Sequence, residues 1–142
     1  MPRVLVTHHP LFALPVGDGP ELGKAMGDQD MALEAIAEAG VDLLLAGHNH
    51  RASTNLASDL VTRAGSALVI QAGTATSTRV RDEEQSFNLI EVVAADVTVT
   101  IQAWDGTGFA ARDAQRYRRE GDHWRLEKGV TAGADAESAA VA

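Results

Sequence analysis

A chain of 142 residues with 45% hydrophobic and 23% charged side chains has the size and composition of one globular domain with one core. It contains no cysteine, which excludes disulfides and thiolate metal sites, and no apolar run approaches the length of a membrane span. The net charge of −8 argues against binding to a nucleic-acid backbone. Residues 1–7 are too short an apolar run for a signal peptide, so we expect by default a cytoplasmic protein, with neither a nucleic-acid nor a membrane partner.

Two short apolar segments near the N-terminus predict buried strands with a helix between them. The first covers residues 3–7 and is typical of a central strand, and the second covers residues 41–46. A long loop over residues 10–27 leads to a helix over residues 29–39, which Gly40 is well placed to end. A strand–helix–strand unit predicts parallel strands, whose C-terminal ends meet at one edge of the sheet.

The rest of the chain predicts mostly antiparallel strands, with the last pair turning at Gly121-Asp122. Arginines cluster in this region, and we interpret them as solvated charge on strand edges. Residues 56–64 are ambiguous, with a short helix as one interpretation. The Ala-, Gly- and acid-rich residues 129–142 predict a disordered tail. The predicted strands of this part are residues 67–72, 87–93, 96–104 and a hairpin over 115–127.

Histidines follow both N-terminal strands at the point where each strand should end. His8 and His9 come directly after the first, and His48 and His50 follow the second within the sequence GHNH. Since the ends of parallel strands meet at one edge, His8 and His48 should lie close together. Imidazole is a ligand for zinc, manganese and iron, so the pattern predicts a metal site. One of the two adjacent histidines should reach it, because neighbouring side chains on a strand point to opposite faces.

The segments VTHHP and LLLAGHNH resemble the last two metal-binding blocks of the calcineurin-like metallophosphoesterases. The later stretch VIQAGTATSTR…SFNLIEV is similar to bacterial relatives of the class III cyclic-nucleotide phosphodiesterases. This resemblance covers residues 3 to about 110. It implies the C-terminal half of an αββα sandwich, with residues 1–128 forming a partial metallophosphoesterase domain. It also implies two divalent or trivalent ions in the complete protein, of manganese, iron or zinc.

The resemblance assigns a role to each matching residue. His8 and His48 would bind one ion and His50 the other, whereas His9 and Asn49 would contact the phosphate of a small phosphoester. A cyclic nucleotide is the first substrate that the resemblance suggests, and hydrolysis of a phosphodiester is the reaction it implies.

The family's carboxylate-bearing blocks Asp-x-His, Gly-Asp-x-x-Asp and Gly-Asn-His-Asp/Glu do not occur in this sequence. Three neutral imidazoles supply no negative charge to hold two cations that repel each other. We therefore expect this chain alone to bind at most one ion, weakly, and to be inactive unless a partner supplies the missing blocks.

Two other interpretations remain open. The chain is a catalytically inactive fragment or remnant that serves as a binding or interaction module, or it is a plain α/β domain in which the histidines are incidental. Absence of half of a sandwich would also expose a sheet edge and an apolar face, so we expect homo-oligomers that form through that edge.

Overall fold

The computed structural model describes residues 1–11, 29–47, 53–56, 67–76 and 84–127. Within these ranges there are one helix, α1, and eight strands. No helix in the described ranges is long and apolar enough to cross a membrane. The elements are β1 Val4–Val6, α1 Gln29–Ala39, β2 Leu43–Ala46, β3 Ser53–Leu56, β4 Leu68–Gln71, β5 Ser86–Val93, β6 Asp96–Trp104, β7 Phe109–Glu120 and β8 His123–Glu127.

The first sheet has the strand order β1-β2-β4-β3. β1, β2 and β4 are parallel, and β3 pairs with β4 in the antiparallel direction. The predicted parallel strand–helix–strand unit is therefore confirmed. The four residues of β3 were not predicted, because the polar sequence Ser-Thr-Asn-Leu carries no strand pattern and becomes a strand only by pairing with β4. Leu56 ends this strand, so the helix interpretation is wrong there, and residues 57–64 lie outside the described ranges.

Gly40 ends α1, as the sequence predicts. The Val41 amide donates to the Ile36 carbonyl at 3.2 Å and the Gly40 amide donates to the Ala37 carbonyl at 3.1 Å, which together form a Schellman motif. Gly40 has a φ of +62°, in the left-handed region that favours glycine. The following strand begins at Leu43 and not at residue 41 as predicted, because the residue after Gly40 is used to cap the helix.

The second sheet is an antiparallel meander in the order β5-β6-β7-β8. The two predicted strands before residue 105 are confirmed, as is the last hairpin with its turn at Gly121-Asp122. β7 begins at Phe109, six residues before the predicted hairpin, because it pairs with the whole length of β6 across a bulge between Ile101 and Gln102. Residues 128–142, with the predicted tail, lie outside the described ranges.

β2 and β4 pack on both faces, which explains their continuous apolar sequences. Alternate residues of β2 and β4 face α1, and the others face the second sheet. The described residues thus form three layers: helix, mixed sheet and antiparallel sheet. The cluster on the helix side contains Leu11, Leu33, Ile36, Leu44, Ala67 and Val69. The cluster between the sheets contains Leu43, Leu68, Ile70, Val97, Val99, Tyr117 and Trp124.

β1 was predicted as a central strand, but it lies at the edge of the described sheet. Its register aligns Val4 with Leu43 and Val6 with Leu45. Leu43 is 2% exposed because the second sheet covers it, whereas Val4 and Val6 are 49% and 70% exposed. The second sheet therefore does not cover the face of β1 that carries Val4 and Val6. Within the described residues, the prediction that this strand is central is wrong.

The arginines of β7 are paired with carboxylates, so they do not form a free basic surface. Arg116 and Arg118 both contact Asp96 and Glu127, and Arg112 contacts Glu84. The hydrogen bonds that Arg118 and Arg116 donate to Asp96 hold the pKa of this carboxyl well below its usual range.

Candidate metal centre

The C-terminal ends of β1 and β2 meet, as predicted from their parallel direction. The Thr7 amide donates to the Leu45 carbonyl at 2.9 Å, and the Gly47 amide donates to the His8 carbonyl at 3.2 Å. The ladder thus continues to the residue immediately before His48. The positions of His48, Asn49 and His50 lie outside the described residues, so their roles remain predictions.

The two adjacent histidines do not point to opposite faces of a strand. Their rings lie 4.7 Å apart between centroids and are nearly perpendicular, at 87°. β1 ends at Val6, and the Thr7 hydroxyl donates to the His9 carbonyl at 2.9 Å, which bends the backbone here. Strand alternation therefore does not apply to His8 and His9, and this part of the sequence argument is wrong. Both residues are exposed at the sheet edge.

The end of β4 adds a polar group that the sequence analysis missed. Gln71 is in register with Ala46, and its side chain is only 1% exposed. Within the part of the chain that the structure describes, neither its Nε2 nor its Oε1 has a hydrogen-bond partner, and Oδ1 of Asn88 is also buried without one. An unpaired buried donor or acceptor lowers the stability of the fold by about 1–3 kcal/mol, so these atoms destabilise the end of β4. The sequence signal was a lone amide at the end of the apolar run LVIQ.

In the described ranges, no cluster of potential metal ligands combines a carboxylate with these histidines. No set of three or more His, Cys, Asp or Glu in those ranges is placed to hold a metal ion. Asp42 directly precedes β2, at the end opposite to Gly47. Its carboxylate accepts a hydrogen bond from the Arg3 amide at 2.8 Å and pairs with Arg119 Nη1 at 3.1 Å. The four residues of β2 lie between Asp42 and Gly47, so the two are five residue steps apart, roughly 16 Å at 3.3 Å per residue.

Among the described residues, the potential metal ligands at this edge are the imidazoles of His8 and His9, which follow the end of β1. Neutral imidazole suits zinc, manganese or iron as a ligand. The exposed rings of His8 and His9 are accessible to an ion from solvent. In the described part of this edge, only these two imidazoles are present, and they supply no charge to balance two cations.

Together, these observations define an α/β protein with a parallel strand–helix–strand unit packed on an antiparallel sheet. No family model matches the chain, and no curated protein matches it. Two solved structures of mutant Vps29 from Entamoeba histolytica are similar to it in part. The single mutant has 20% sequence identity and a TM-score of 0.42, and the double mutant has 21% and 0.43. Each similarity covers 66% of this chain, which spans only 48% of the length of either Vps29 chain.

Proposed function

We propose that this chain is part of a metal-dependent phosphoester hydrolase of the calcineurin-like type, with a small phosphodiester such as a cyclic nucleotide as substrate. The observation that supports this most directly is the hydrogen bond from the Gly47 amide to the His8 carbonyl. It joins the two strand ends whose sequences resemble the family's histidine-bearing blocks.

The roles follow the sequence resemblance. His8 and His48 would hold one ion, and His50 would hold the second. When bound, such ions supply Lewis-acid stabilisation of the charge on the phosphoryl oxygens. His9 and Asn49 would orient the phosphate by hydrogen bonds, with the sheet edge fixing the direction from which it enters.

The carboxylates of the centre would come from a partner that binds at the edge of β1 with which no described strand pairs. The backbone groups of Arg3 and Thr7 form hydrogen bonds with β2. Because alternate residues of a strand pair with the same neighbour, the backbone groups of Val4 and Val6 face the other edge of β1, where no described strand lies. A strand that paired there in the parallel direction would end beside His8, where a carboxylate could join the imidazoles. A second copy of this chain would use the same edge to form a homo-oligomer.

Metal binding by the 142-residue protein tests the proposal. We expect titration with Zn²⁺ or Mn²⁺ to give at most one weakly bound ion, and we expect His8→Ala and His48→Ala to abolish or weaken this binding. His123→Ala is the matched control, because His123 is an exposed histidine on the second sheet, beside Asp122. Hydrolysis of bis(nitrophenyl) phosphate should be negligible without the carboxylate-bearing partner.

The outcomes separate the alternatives. Two tightly bound ions, or robust turnover by the chain alone, would contradict the need for carboxylates from elsewhere. If His123→Ala weakens metal binding as much as His48→Ala does, the histidines at the strand ends are incidental. Metal binding without turnover in the presence of the partner would favour a binding module.

A further inference from the structure

The edge strands of the two described sheets differ in what they offer to a further strand. β1 and β3 have only three and four residues, and β8 carries the charged side chains of Arg125 and Glu127. Short length limits the number of backbone hydrogen bonds, and charge opposes pairing with another chain. β5 has eight residues, contains no proline or lysine, and keeps an unbroken register with β6. Among the described edges it therefore offers the longest template for an added strand.

The hydrogen bonds at the start of β5 show which of its backbone groups face the outer edge. The Trp104 amide donates to the Gln85 carbonyl at 2.7 Å, so Gln85 and every second residue after it pair with β6. The Ser86 amide instead donates away from β6, to the Thr74 carbonyl at 2.8 Å. The alternating set that begins at Ser86 continues with Asn88, Ile90 and Val92. In the part of the chain that the structure describes, no strand pairs with the outward backbone groups of these three residues.

The side chains on the solvent face of β5 add a chemical pattern to this edge. Phe87, Leu89 and Val93 are exposed on this face, and the exposed Glu91 lies between the last two. In an antiparallel pair, side chains directly opposite each other lie about 4.5–5.5 Å apart and interact. An antiparallel strand added here would therefore be stabilised most by apolar residues opposite the three apolar side chains and by a lysine or arginine opposite Glu91.

A second copy of β5 does not supply this pattern. In the two-fold antiparallel register that uses all three outward residues, Ile90 lies opposite Ile90 of the second copy, and Glu91 lies opposite Leu89. The two Glu91 carboxylates are then diagonal neighbours on one face, about 7–8 Å apart. β5 contains no basic residue, so no register of two copies pairs Glu91 with a cation. The net charge of −8 likewise favours a different, basic chain.

We propose that the outer edge of β5 binds an extended peptide of another protein by antiparallel strand addition, with apolar residues at alternate positions of the peptide and a lysine or arginine opposite Glu91. Hydrogen bonds to the outward backbone groups of Asn88, Ile90 and Val92 hold the peptide, and the side-chain pairs along residues 87–93 select its sequence. This surface lies on the second sheet and does not depend on the proposed metal site.

The probe is a fluorescein-labelled peptide of sequence Val-Thr-Lys-Thr-Val-Thr-Tyr, whose lysine lies opposite Glu91 when the peptide pairs antiparallel with residues 87–93. We expect saturable binding in fluorescence anisotropy and slower amide hydrogen exchange at Asn88, Ile90 and Val92, whose N–H groups become hydrogen-bonded. In this register the N–H groups of the three threonines face β5. Methylation of these three nitrogens should therefore weaken binding at least about tenfold.

The Glu91→Lys variant tests the register. It should weaken binding of the lysine peptide about 3- to 10-fold and strengthen binding of the same peptide with glutamate in place of lysine. Glu34→Lys is the matched control, because it makes the same change of net charge at an exposed position of α1. It should change either affinity by no more than about twofold, since charges far from the peptide are screened by salt.

The outcomes decide whether strand addition occurs and what is added. Absence of saturable binding, or equal binding of the N-methylated peptide, would overturn the proposal. Equal effects of Glu91→Lys and Glu34→Lys would show that net charge and not strand pairing sets the affinity, which also overturns it. Self-association of the protein that the peptide reverses would mean that a second copy and not a peptide occupies this edge.

Discussion

The Gly40→Ala substitution places a side chain where the junction between α1 and β2 has no room for one. Gly40 has a φ of +62°, and this left-handed conformation costs a residue with a Cβ about 1–2 kcal/mol. The added Cβ would lie 2.6 Å from Nη1 of Arg3, whose guanidinium donates to the Ala39 carbonyl. Displacing it loses an exposed hydrogen bond worth about 0.5–1 kcal/mol. We therefore expect a loss of about 1.5–3 kcal/mol in total.

Urea unfolding of the metal-free protein, followed by circular dichroism, measures this loss. Gly108→Ala is the matched control, because nothing lies within 4 Å of a Cβ built there. It should change the free energy of unfolding by no more than about 0.5 kcal/mol. A Gly40→Ala variant as stable as Gly108→Ala would refute the reasoning.

The two contributions at Gly40 can be separated in an Arg3→Ala background. Without the guanidinium the clash is gone, so Gly40→Ala should cost only the backbone contribution of about 1–2 kcal/mol. An equal cost in both backgrounds would show that displacing Arg3 contributes nothing. The junction sets the start of β2, whose other end is joined to His8 by the hydrogen bond from Gly47.

Two further predictions concern the second sheet and the edge of β1. Arg118 and Arg116 lower the pKa of Asp96, so its charge stabilises the fold above about pH 4 and this contribution is lost as the pH falls further. Asp96→Asn should therefore make the urea midpoint fall less steeply between about pH 5 and pH 2, and an unchanged slope would contradict the role of the ion pair. Val6→Lys should shift any oligomer towards monomer in light scattering, whereas Val93→Lys, at an equally exposed position of 70% on the second sheet, should not. Equal effects of the two variants would exclude the β1 edge as the contact.

The candidate site could be predicted from the sequence only in part. The apolar runs and the intervening helix were enough to bring the ends of β1 and β2 together, because parallel direction follows from the crossover connection. The relation of His8 to His9 was not predictable, since a bend after Val6 replaces strand alternation there. Gln71 was missed because its enclosure depends on neighbours that are distant in sequence.

The sequence by itself determined the elements whose signals are local. The period of the apolar residues predicts α1, Gly40 ends it, and alternation predicts β6 and the strands around it. Each of these features depends on residues within a few positions of one another, so no long-range contact is needed to predict it.

Only the tertiary structure decided which strand faces are covered and which polar groups lose their partners. Val4 and Leu43 are both apolar strand residues in register, yet one is 49% and the other 2% exposed, because the second sheet covers β2 and not β1. In the same way β3 exists through pairing with β4, and Gln71 is buried by the packing around the strand ends. Burial is a property of the assembled layers, and the sequence of a single strand does not contain it.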